Sequence, residues 1–243
     1  MRSAALSHIG LVRKSNEDRV FADEDLGLFI VADGVGGHEG GEIASSSAVD
    51  TVIADIEEKP EETDSELRQE ILREAFYHAN DIVYQQGLGQ NPKNNKGMST
   101  TMTALWLTEE LVNLAHVGDS RAYLINEGQI RQLTEDHSLV KELLRDGSIS
   151  KDEARQHPHR HIITRAIGQD AILQLDNQVL YWQKNDYLLL CSDGLYSMVD
   201  DEELLYFIID HNGDLEAACK SLLIRALAQG GLDNISLVLV CNC

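Results

Sequence analysis

The chain has few cationic side chains and no long apolar run. Its 243 residues contain 20 Lys and Arg against 41 Asp and Glu, so the formal net charge is −21. Nucleic acids and anionic membrane surfaces both select basic patches, and we therefore expect neither as a partner. No apolar stretch reaches the roughly 20 residues of a membrane-spanning helix, and the N-terminal residues lack the apolar core of a signal peptide. These absences favour a cytoplasmic protein.

Cysteine is also sparse, and the chain has Cys191, Cys219, Cys241 and Cys243. The spacer between the last two is too short for a zinc knuckle, and no cluster of His and Cys accompanies them. We interpret all four as free thiols in a reducing compartment.

Domain linkers and repeats are missing as well. Hydrophobic residues make up 43% of the chain and charged residues 25%, as in ordinary globular proteins. The sequence has no linker rich in Pro, Ser and Gly, which indicates a single domain over residues 1–243. Predicted strands are many and do not alternate with helices, so we expect an α+β layered fold with antiparallel pairing. The lack of a coiled coil or another obvious dimer element indicates a monomer.

Hydrophobic periodicity predicts the individual elements. Strands are expected at residues 7–12, 29–31, 100–107, 111–117, 122–125, 129–133, 175–182, 187–192 and 235–240. Helices are expected at residues 41–56, 67–87, 204–209 and 215–228, with a hairpin turn at 126–128. Residues 136–163 are polar, and we expect them to be helical in pieces.

The stretch FIVADGVGGHEGGE places Asp33 at the end of an apolar strand and at the start of a glycine-rich loop. Gly34 follows it, and a glycine allows the backbone to approach a ligand closely. Carboxylate and carbonyl oxygens are the ligands that Mg²⁺ and Mn²⁺ prefer. An Asp-Gly pair after a strand is more often only a turn, so this stretch alone does not distinguish a turn from a metal site.

The same pattern recurs at three other places. Asp119 follows Gly118, Asp193 precedes Gly194, and Asp233 follows the pair Gly230-Gly231 by one residue; each adjoins an apolar strand. Four carboxylates at one edge would repel each other and need cations, which suggests a two-metal site. Two adjacent metals can activate a water that attacks a phosphoryl group. Arg13 could bind the phosphate through its guanidinium, although the run RKSNED around it is also typical of a solvated loop.

Seven blocks of sequence identify a family. They occur in the order RKSNED, VADGVGGHEGGE, HVGDSRAYL, LTEDHS, ITRAIG, LLLCSDGL and GGLDNISLVLV. In this order they resemble the type 2C metal-dependent protein serine/threonine phosphatases (the PPM family), bacterial branch, over residues 11–240. The resemblance implies a four-layer α-β-β-α sandwich, in which two antiparallel sheets are flanked by helices. It also implies hydrolysis of phosphoserine and phosphothreonine in proteins by a metal-activated bridging water, in opposition to a bacterial Ser/Thr kinase.

The resemblance further implies the metal ligands, which would hold two Mn²⁺ or Mg²⁺ ions and a weaker third. Asp33, Asp193 and Asp233 would hold the first ion. Asp33 would bridge to the second ion, which also takes the Gly34 carbonyl. Asp119 would hold the third ion, shared with Asp193.

Other positions receive supporting roles from the same resemblance. Glu17 and Asp18 would orient waters at the metals, and Asn234 would brace the loop that carries the neighbouring aspartate. Arg13 would bind the substrate phosphate. His38 is the candidate general acid, and a water at the metals is the alternative donor.

Residues 140–165 correspond to a mobile flap, from which His161 would reach toward substrate. The chain departs from the family pattern at Val35, where Met is common, and at Ser99, where Gly is usual. No ligand aspartate is missing. Two other functions stay open at this point: a phosphoprotein-binding module without turnover, and a metal phosphodiesterase that acts on nucleotides.

Overall fold

The computed structural model describes residues 1–36, 39–59, 65–90, 98–150, 153–154, 157–159 and 161–243. The strands in this part of the chain are β1 (Arg2–His8), β2 (Asp18–Asp23), β3 (Leu28–Val35), β4 (Ser99–Thr100), β5 (Met102–Leu107), β6 (Leu111–Val117), β7 (Arg121–Asn126), β8 (Gln129–Gln132), β9 (Asp176–Tyr181), β10 (Tyr187–Cys191) and β11 (Ile235–Cys241). The helices are α1 (Glu39–Glu57), α2 (Ser65–Gln90), α3 (Leu139–Arg145), α4 (Asp193–Tyr196), α5 (Asp201–Asp210) and α6 (Leu215–Ala228). None of these helices combines the length and the hydrophobicity that crossing a bilayer requires.

The strands form two sheets. The five-stranded sheet has the order β1-β11-β10-β7-β8, and the six-stranded sheet has the order β2-β3-β5-β6-β9 with β4 paired to β3. Neighbouring strands run antiparallel in both sheets. This arrangement agrees with the antiparallel pairing expected from the sequence.

The two faces of β3 show why the layers stack as they do. Leu28, Ile30 and Ala32 belong to a core that also contains apolar residues of α1 and α2. Phe29 and Val31 point the other way, into a core shared with β10 and β11 of the other sheet. Side chains alternate between the two faces of a strand, and a strand covered on both faces therefore has a continuous apolar sequence.

A third core closes the sandwich on the far side. Leu189 of β10 and Leu237 of β11 pack with Ala218 and Leu222 of α6. The order of layers is therefore helices, six-stranded sheet, five-stranded sheet, helices. The expected α-β-β-α sandwich is confirmed.

Several predicted elements match the structure closely. The strand at 111–117 and the helix at 215–228 have the predicted bounds. The turn between β7 and β8 is also confirmed, with φ of 48° at Glu127 and 73° at Gly128. Two successive positive φ values are the signature of a tight hairpin turn.

Three local features differ from what the sequence predicted. The first strand is Arg2–His8 and not residues 7–12, and turns follow it. The strand Asp18–Asp23 was not predicted, because its mixed sequence at a sheet edge continues a dense polar run. Helix α2 continues to Gln90, past its expected end near Gly87. Residues 91–97, expected to be loop, lie outside the described part of the chain.

Candidate metal centre

The first pair of carboxylates comes from two adjacent strands. Asp18 of β2 lies opposite Asp33 of β3 in the antiparallel register. The Gly34 N–H donates a 3.1 Å hydrogen bond to the Glu17 carbonyl, which continues the pairing beyond β2. Directly opposed residues on paired strands have neighbouring side chains. The sheet therefore brings two acidic residues of RKSNED against the aspartate of VADGVGG.

The five-stranded sheet contributes the second pair. Asp193 follows β10 and Asp233 lies just before β11, and these two strands are neighbours. The Ser192 N–H donates to the Ser236 carbonyl at 3.0 Å, which holds the end of β10 to the start of β11. The Ser192 hydroxyl donates to Asp18 Oδ2 at 2.8 Å. This bond joins the carboxylates of the two sheets at one edge of the sandwich.

The carboxyl groups affect one another strongly. Burial raises the pKa of Asp33 well above its usual range, and Asp18, Asp193, Asp119 and Asp233 raise it further. Each neighbouring negative charge disfavours ionisation in a site with little water. Four of the predicted ligand residues therefore lie within electrostatic reach of one another.

The other members of the cluster behave in the same way. Burial raises the pKa of Asp18 to about 7 and that of Asp119 to about 8. The pKa of Asp193 rises to about 6, through burial and then through Asp233, while Arg13 lowers it. Burial also raises the pKa of Glu17. The centre carries more potential negative charge than its own cations neutralise.

Two oxygens in the cluster lack partners. Asp18 Oδ1 and Asp193 Oδ1 are buried, and neither has a hydrogen-bond partner among the residues that the structure describes. A buried carboxylate oxygen without a donor is costly, and a divalent cation would satisfy it. Hard cations such as Mn²⁺ and Mg²⁺ take such oxygens as ligands. The donor set therefore fits the implied metals.

The carboxylates of the cluster are nevertheless not yet arranged as a complete set of metal ligands. Among the described residues, no three His, Cys, Asp or Glu side chains are already arranged to hold a metal ion. Arg13 Nη2 donates a 2.6 Å hydrogen bond to Asp233 Oδ2. The other oxygen of Asp233 accepts the Asn234 N–H at 2.8 Å. Arg13 thus faces the site, and in this arrangement it neutralises a predicted ligand.

Asn234 holds the loop of Asp233 to the segment that carries Arg13. Its side-chain Nδ2 donates to the carbonyls of Ile9 and Ser15, each at 2.9 Å. Its Oδ1 accepts the Glu17 N–H at 2.8 Å. These three bonds fit the bracing role that the resemblance implied.

Position 34 requires glycine, because the backbone of neighbouring segments packs closely against it. A Cβ at this position would lie 2.3 Å from the Gly41 carbonyl oxygen and 2.6 Å from the Glu17 carbonyl oxygen. Both neighbours are backbone atoms that cannot move aside easily. The sequence suggested that this glycine admits a ligand, and the structure adds that it admits the start of α1.

Thr101, which contacts Asp33, and Ser120, which adjoins Asp119, were not predicted as parts of the site. Thr101 accepts the Asp33 N–H through its Oγ1 at 3.1 Å, and its own N–H donates to the Asp33 carbonyl at 2.9 Å. The Thr101 hydroxyl also contacts the Ser120 hydroxyl at 2.7 Å, next to Asp119. Thr101 therefore links the segments of two aspartates. Its only sequence signal was its place in a β-branched run, which indicated a strand and nothing more.

The remaining predicted residues fall into two groups. His38 lies outside the described residues, as does part of the flap. His161 Nδ1 is 4.0 Å from Asp193 Oδ2, so this flap residue approaches the cluster. The two departures from the family pattern face each other, because Val35 pairs with Ser99 in the sheet. The Ser99 hydroxyl donates to the Val35 carbonyl at 3.2 Å.

Comparisons with known proteins agree with this geometry. The family model for Protein phosphatase 2C matches residues 7–225. The chain is similar to the serine/threonine phosphatase stp of Listeria welshimeri, at 39% identity over 240 residues, which cover 95% of this chain and 92% of the relative. It superposes on the Mycobacterium tuberculosis serine/threonine phosphatase PstP/Ppp with a TM-score of 0.88 at 34% identity, over 98% of this chain and 97% of that one. The catalytic domain of PstP in complex with two manganese ions gives a TM-score of 0.85 at 32% identity, over 98% and 96% of the two chains.

These matches show that the chain is a metal-dependent protein serine/threonine phosphatase. Within that class the chain belongs to the protein phosphatase 2C family, bacterial branch. The resemblance drawn from the seven sequence blocks is therefore confirmed.

Proposed function

We propose that the chain hydrolyses phosphoserine and phosphothreonine in proteins at a centre of two divalent metal ions. Asp33, the Gly34 carbonyl, Asp193 and Asp233 would hold the two ions, and Asp119 would hold a third. The observation that supports this most strongly is that buried carboxylates of both sheets meet at one edge of the sandwich, where Asp18 lies opposite Asp33 and Ser192 bonds to Asp18. Burial and the neighbouring carboxylates raise the pKa of Asp33, which agrees with this arrangement. A cluster that resists ionisation in this way gains most from cations.

When bound, the two ions would lower the pKa of a water between them and offset the charge of the phosphoryl oxygens. Arg13 would bind the phosphate; this role is supported by its side chain, which is 51% exposed, and by its guanidinium, which lies at the cluster. A guanidinium can donate two parallel hydrogen bonds to a phosphate. To do so, Arg13 would exchange Asp233 for the substrate.

Other side chains orient water and substrate. Asp18 is held by Ser192, which leaves its unpartnered Oδ1 to accept from a water at the centre. Glu17 is fixed through the bond of its N–H to Asn234. His38 would donate the proton to the departing alkoxide oxygen, and a water at the centre is the alternative donor. Residues 140–165 would form a flap over the site.

The partners, the cellular location and the oligomeric state are proposed from the sequence and the family resemblance. Opposition to a bacterial Ser/Thr kinase, with the kinase or its targets as substrates, rests on the family resemblance alone. The acidic composition supports an enzyme without nucleic-acid or membrane partners. The cytoplasmic location rests on the four cysteines, which are free thiols as in a reducing compartment. A monomeric state rests on the lack of an obvious dimer element in the sequence.

The direct test is phosphate release from a phosphothreonine peptide, with Mn²⁺ or Mg²⁺ and with EDTA. We expect metal-dependent release that EDTA abolishes and that Asp193→Ala reduces at least about 100-fold, because catalysis depends on the ions. Asp210→Ala is the matched control, since Asp210 is an exposed aspartate at the end of α5.

Three results would contradict the proposal. Full activity in the metal-free enzyme would exclude the metal centre. Tight binding of the phosphopeptide without any release would favour a binding module instead. Faster turnover of a cyclic dinucleotide than of the phosphopeptide would indicate a phosphodiesterase.

A further inference from the structure

Three aliphatic side chains are exposed beside the contact between Arg13 and Asp233. Leu11, Val12 and Leu232 are 65%, 62% and 56% exposed. Leu11 and Val12 are the two residues before Arg13, and Leu232 is the residue before Asp233. Single exposed apolar residues are common on proteins, whereas several together indicate a binding surface. We call these three residues the apolar rim.

The backbone under the apolar rim is fixed. The Leu11 N–H donates a 2.7 Å hydrogen bond to the Gly231 carbonyl. Gly10 has a φ of +81°, and a Cβ there would lie 2.2 Å from the Asp233 carbonyl oxygen. The two loops that carry the rim are therefore packed on one another, and Asn234 ties them together again through Ile9. A preorganised surface loses little conformational entropy when it binds.

Packing below the rim explains why Leu11 stays outward. A Cβ at Gly231 would lie 3.1 Å from Leu11 Cγ and 3.0 Å from Leu227 Cδ2. Leu11 thus packs on Gly231 beside the half-buried Leu227 of α6. These contacts leave no room for the Leu11 side chain to be buried more deeply. The rest of its surface is left for another molecule.

We propose that the apolar rim binds an aliphatic side chain of the substrate, one or two residues from the phosphorylated serine or threonine. This inference rests on the proposed function, because it takes Arg13 as the phosphate-binding residue. An extended peptide advances about 3.3 Å per residue, so residues adjacent to the phosphorylated one reach side chains adjacent to Arg13. The specificity of the enzyme would then depend in part on an uncharged contact.

Charge supports a peptide with an apolar neighbour over an acidic one. The chain carries a net charge of −21, and carboxylates crowd the centre itself. The negative field repels an acidic flanking residue. The three aliphatic side chains of the apolar rim offer a cationic residue no carboxylate to pair with, whereas an aliphatic residue gains from leaving water against them. The ligand that fits the apolar rim is therefore a phosphopeptide with Leu, Ile or Val close to the phosphorylated residue.

The experiment uses a phosphothreonine peptide with serine at the two positions on each side. Four further peptides each carry one leucine at one of these positions. We expect at least one leucine to raise kcat/KM about tenfold, which corresponds to about 1.4 kcal/mol. In the Leu11→Ser/Leu232→Ser variant, kcat/KM for the leucine peptide should be within about twofold of kcat/KM for the all-serine peptide. The control is Ile224→Ser, because Ile224 is an aliphatic residue that is 66% exposed on α6. This variant should keep the roughly tenfold preference of the wild type for the leucine peptide.

A capped phosphothreonine without flanking residues separates specificity from structural damage. If the double variant loses the same factor on this small substrate, the rim supports the centre itself and the proposal is overturned. It is also overturned if no leucine raises kcat/KM in the wild type. A wild-type dimer that the double variant converts to monomer would assign the rim to a second copy of the chain. No release from any substrate, with metal present, would instead overturn the proposed function on which this inference rests.

Discussion

Arg13 and Asp233 are joined by a hydrogen bond of 2.6 Å between Nη2 and Oδ2. The second oxygen of Asp233 accepts the Asn234 N–H, so both oxygens of this predicted metal ligand already have partners. A cation that takes Asp233 as a ligand must compete with Arg13. The residue that would bind phosphate would thereby also weaken metal binding at Asp233.

We predict that Arg13→Ala binds Mn²⁺ more tightly than the wild type. Removing the guanidinium frees Asp233 and removes a positive charge from the centre. Exposed ion pairs contribute about 0.2–1 kcal/mol, so the gain should be at most about fivefold in Kd, as measured by isothermal titration calorimetry. In the same variant, the KM for a phosphopeptide should rise, because the phosphate loses its contact with the Arg13 guanidinium.

Lys14→Ala is the control for this prediction. Lys14 is the exposed cation next in the chain, and its removal changes the net charge equally. Equal tightening in both variants would show a general charge effect and would exclude direct competition at Asp233.

Metal-free protein should lose stability as the pH rises. The pKa of the Asp119 carboxyl is raised to about 8 and that of Asp18 to about 7, mainly through burial. The unfolded chain releases these protons near pH 4, and a raised pKa means that the folded state still holds them above that pH. Because the folded state binds more protons, its free energy of unfolding falls between about pH 4 and 8. We expect a fall of about 1 kcal/mol or more in EDTA, measured by urea unfolding.

Two comparisons test the origin of this effect. Asp119→Asn removes one of the groups, so the fall should be shallower in that variant. Saturating Mn²⁺ should restore stability at pH 8, since a ligand at 100 times its Kd contributes about 2.7 kcal/mol. A stability that is flat with pH in EDTA would contradict the assignment of raised pKa values to this cluster.

Asn234→Ala should destabilise the folded protein by about 2–3 kcal/mol. The substitution leaves the Glu17 N–H and the carbonyls of Ile9 and Ser15 without their partner, and each lost bond costs about 1 kcal/mol. Asn242→Ala is the control, because its side chain makes one 2.9 Å bond to the Glu109 carbonyl. Denaturant midpoints for the two variants give the comparison. A smaller effect at position 234 than at 242 would rule out the bracing role.

The sequence predicted the elements whose patterns are strong. The apolar run before Asp33 indicated a buried strand because both faces of β3 are covered by other layers. Strand β2 escaped prediction because it is an edge strand and begins within the polar run RKSNED. The packing of two sheets that forms the sandwich came from the family resemblance, since periodicity within a strand does not say which sheet it joins.

The same division holds at the centre. Repetition of Asp beside Gly at strand ends indicated which carboxylates meet, because strand ends collect at the edge of a sheet. Contacts that depend on the register between distant strands were not visible. The bond from Ser192 to Asp18 joins residues 174 positions apart, and Thr101 reaches Asp33 across 68 positions. No local pattern of Ser or Thr distinguishes such a residue from any other in a strand.

Two glycines give the last prediction, as a matched pair. Gly34→Ala should destabilise the protein by about 3 kcal/mol or more, because the new Cβ would meet backbone oxygens of Gly41 and Glu17 at 2.3 and 2.6 Å. Gly89→Ala should stabilise it by about 0.5–1 kcal/mol, since Gly89 lies in α2 with nothing within 4 Å of its Cβ position. Urea unfolding in EDTA measures both effects without any contribution from metal. If Gly34→Ala were neutral in EDTA and only weakened Mn²⁺ binding, the glycine would serve the approach of the ion alone, and the packing of α1 on β3 would not require it.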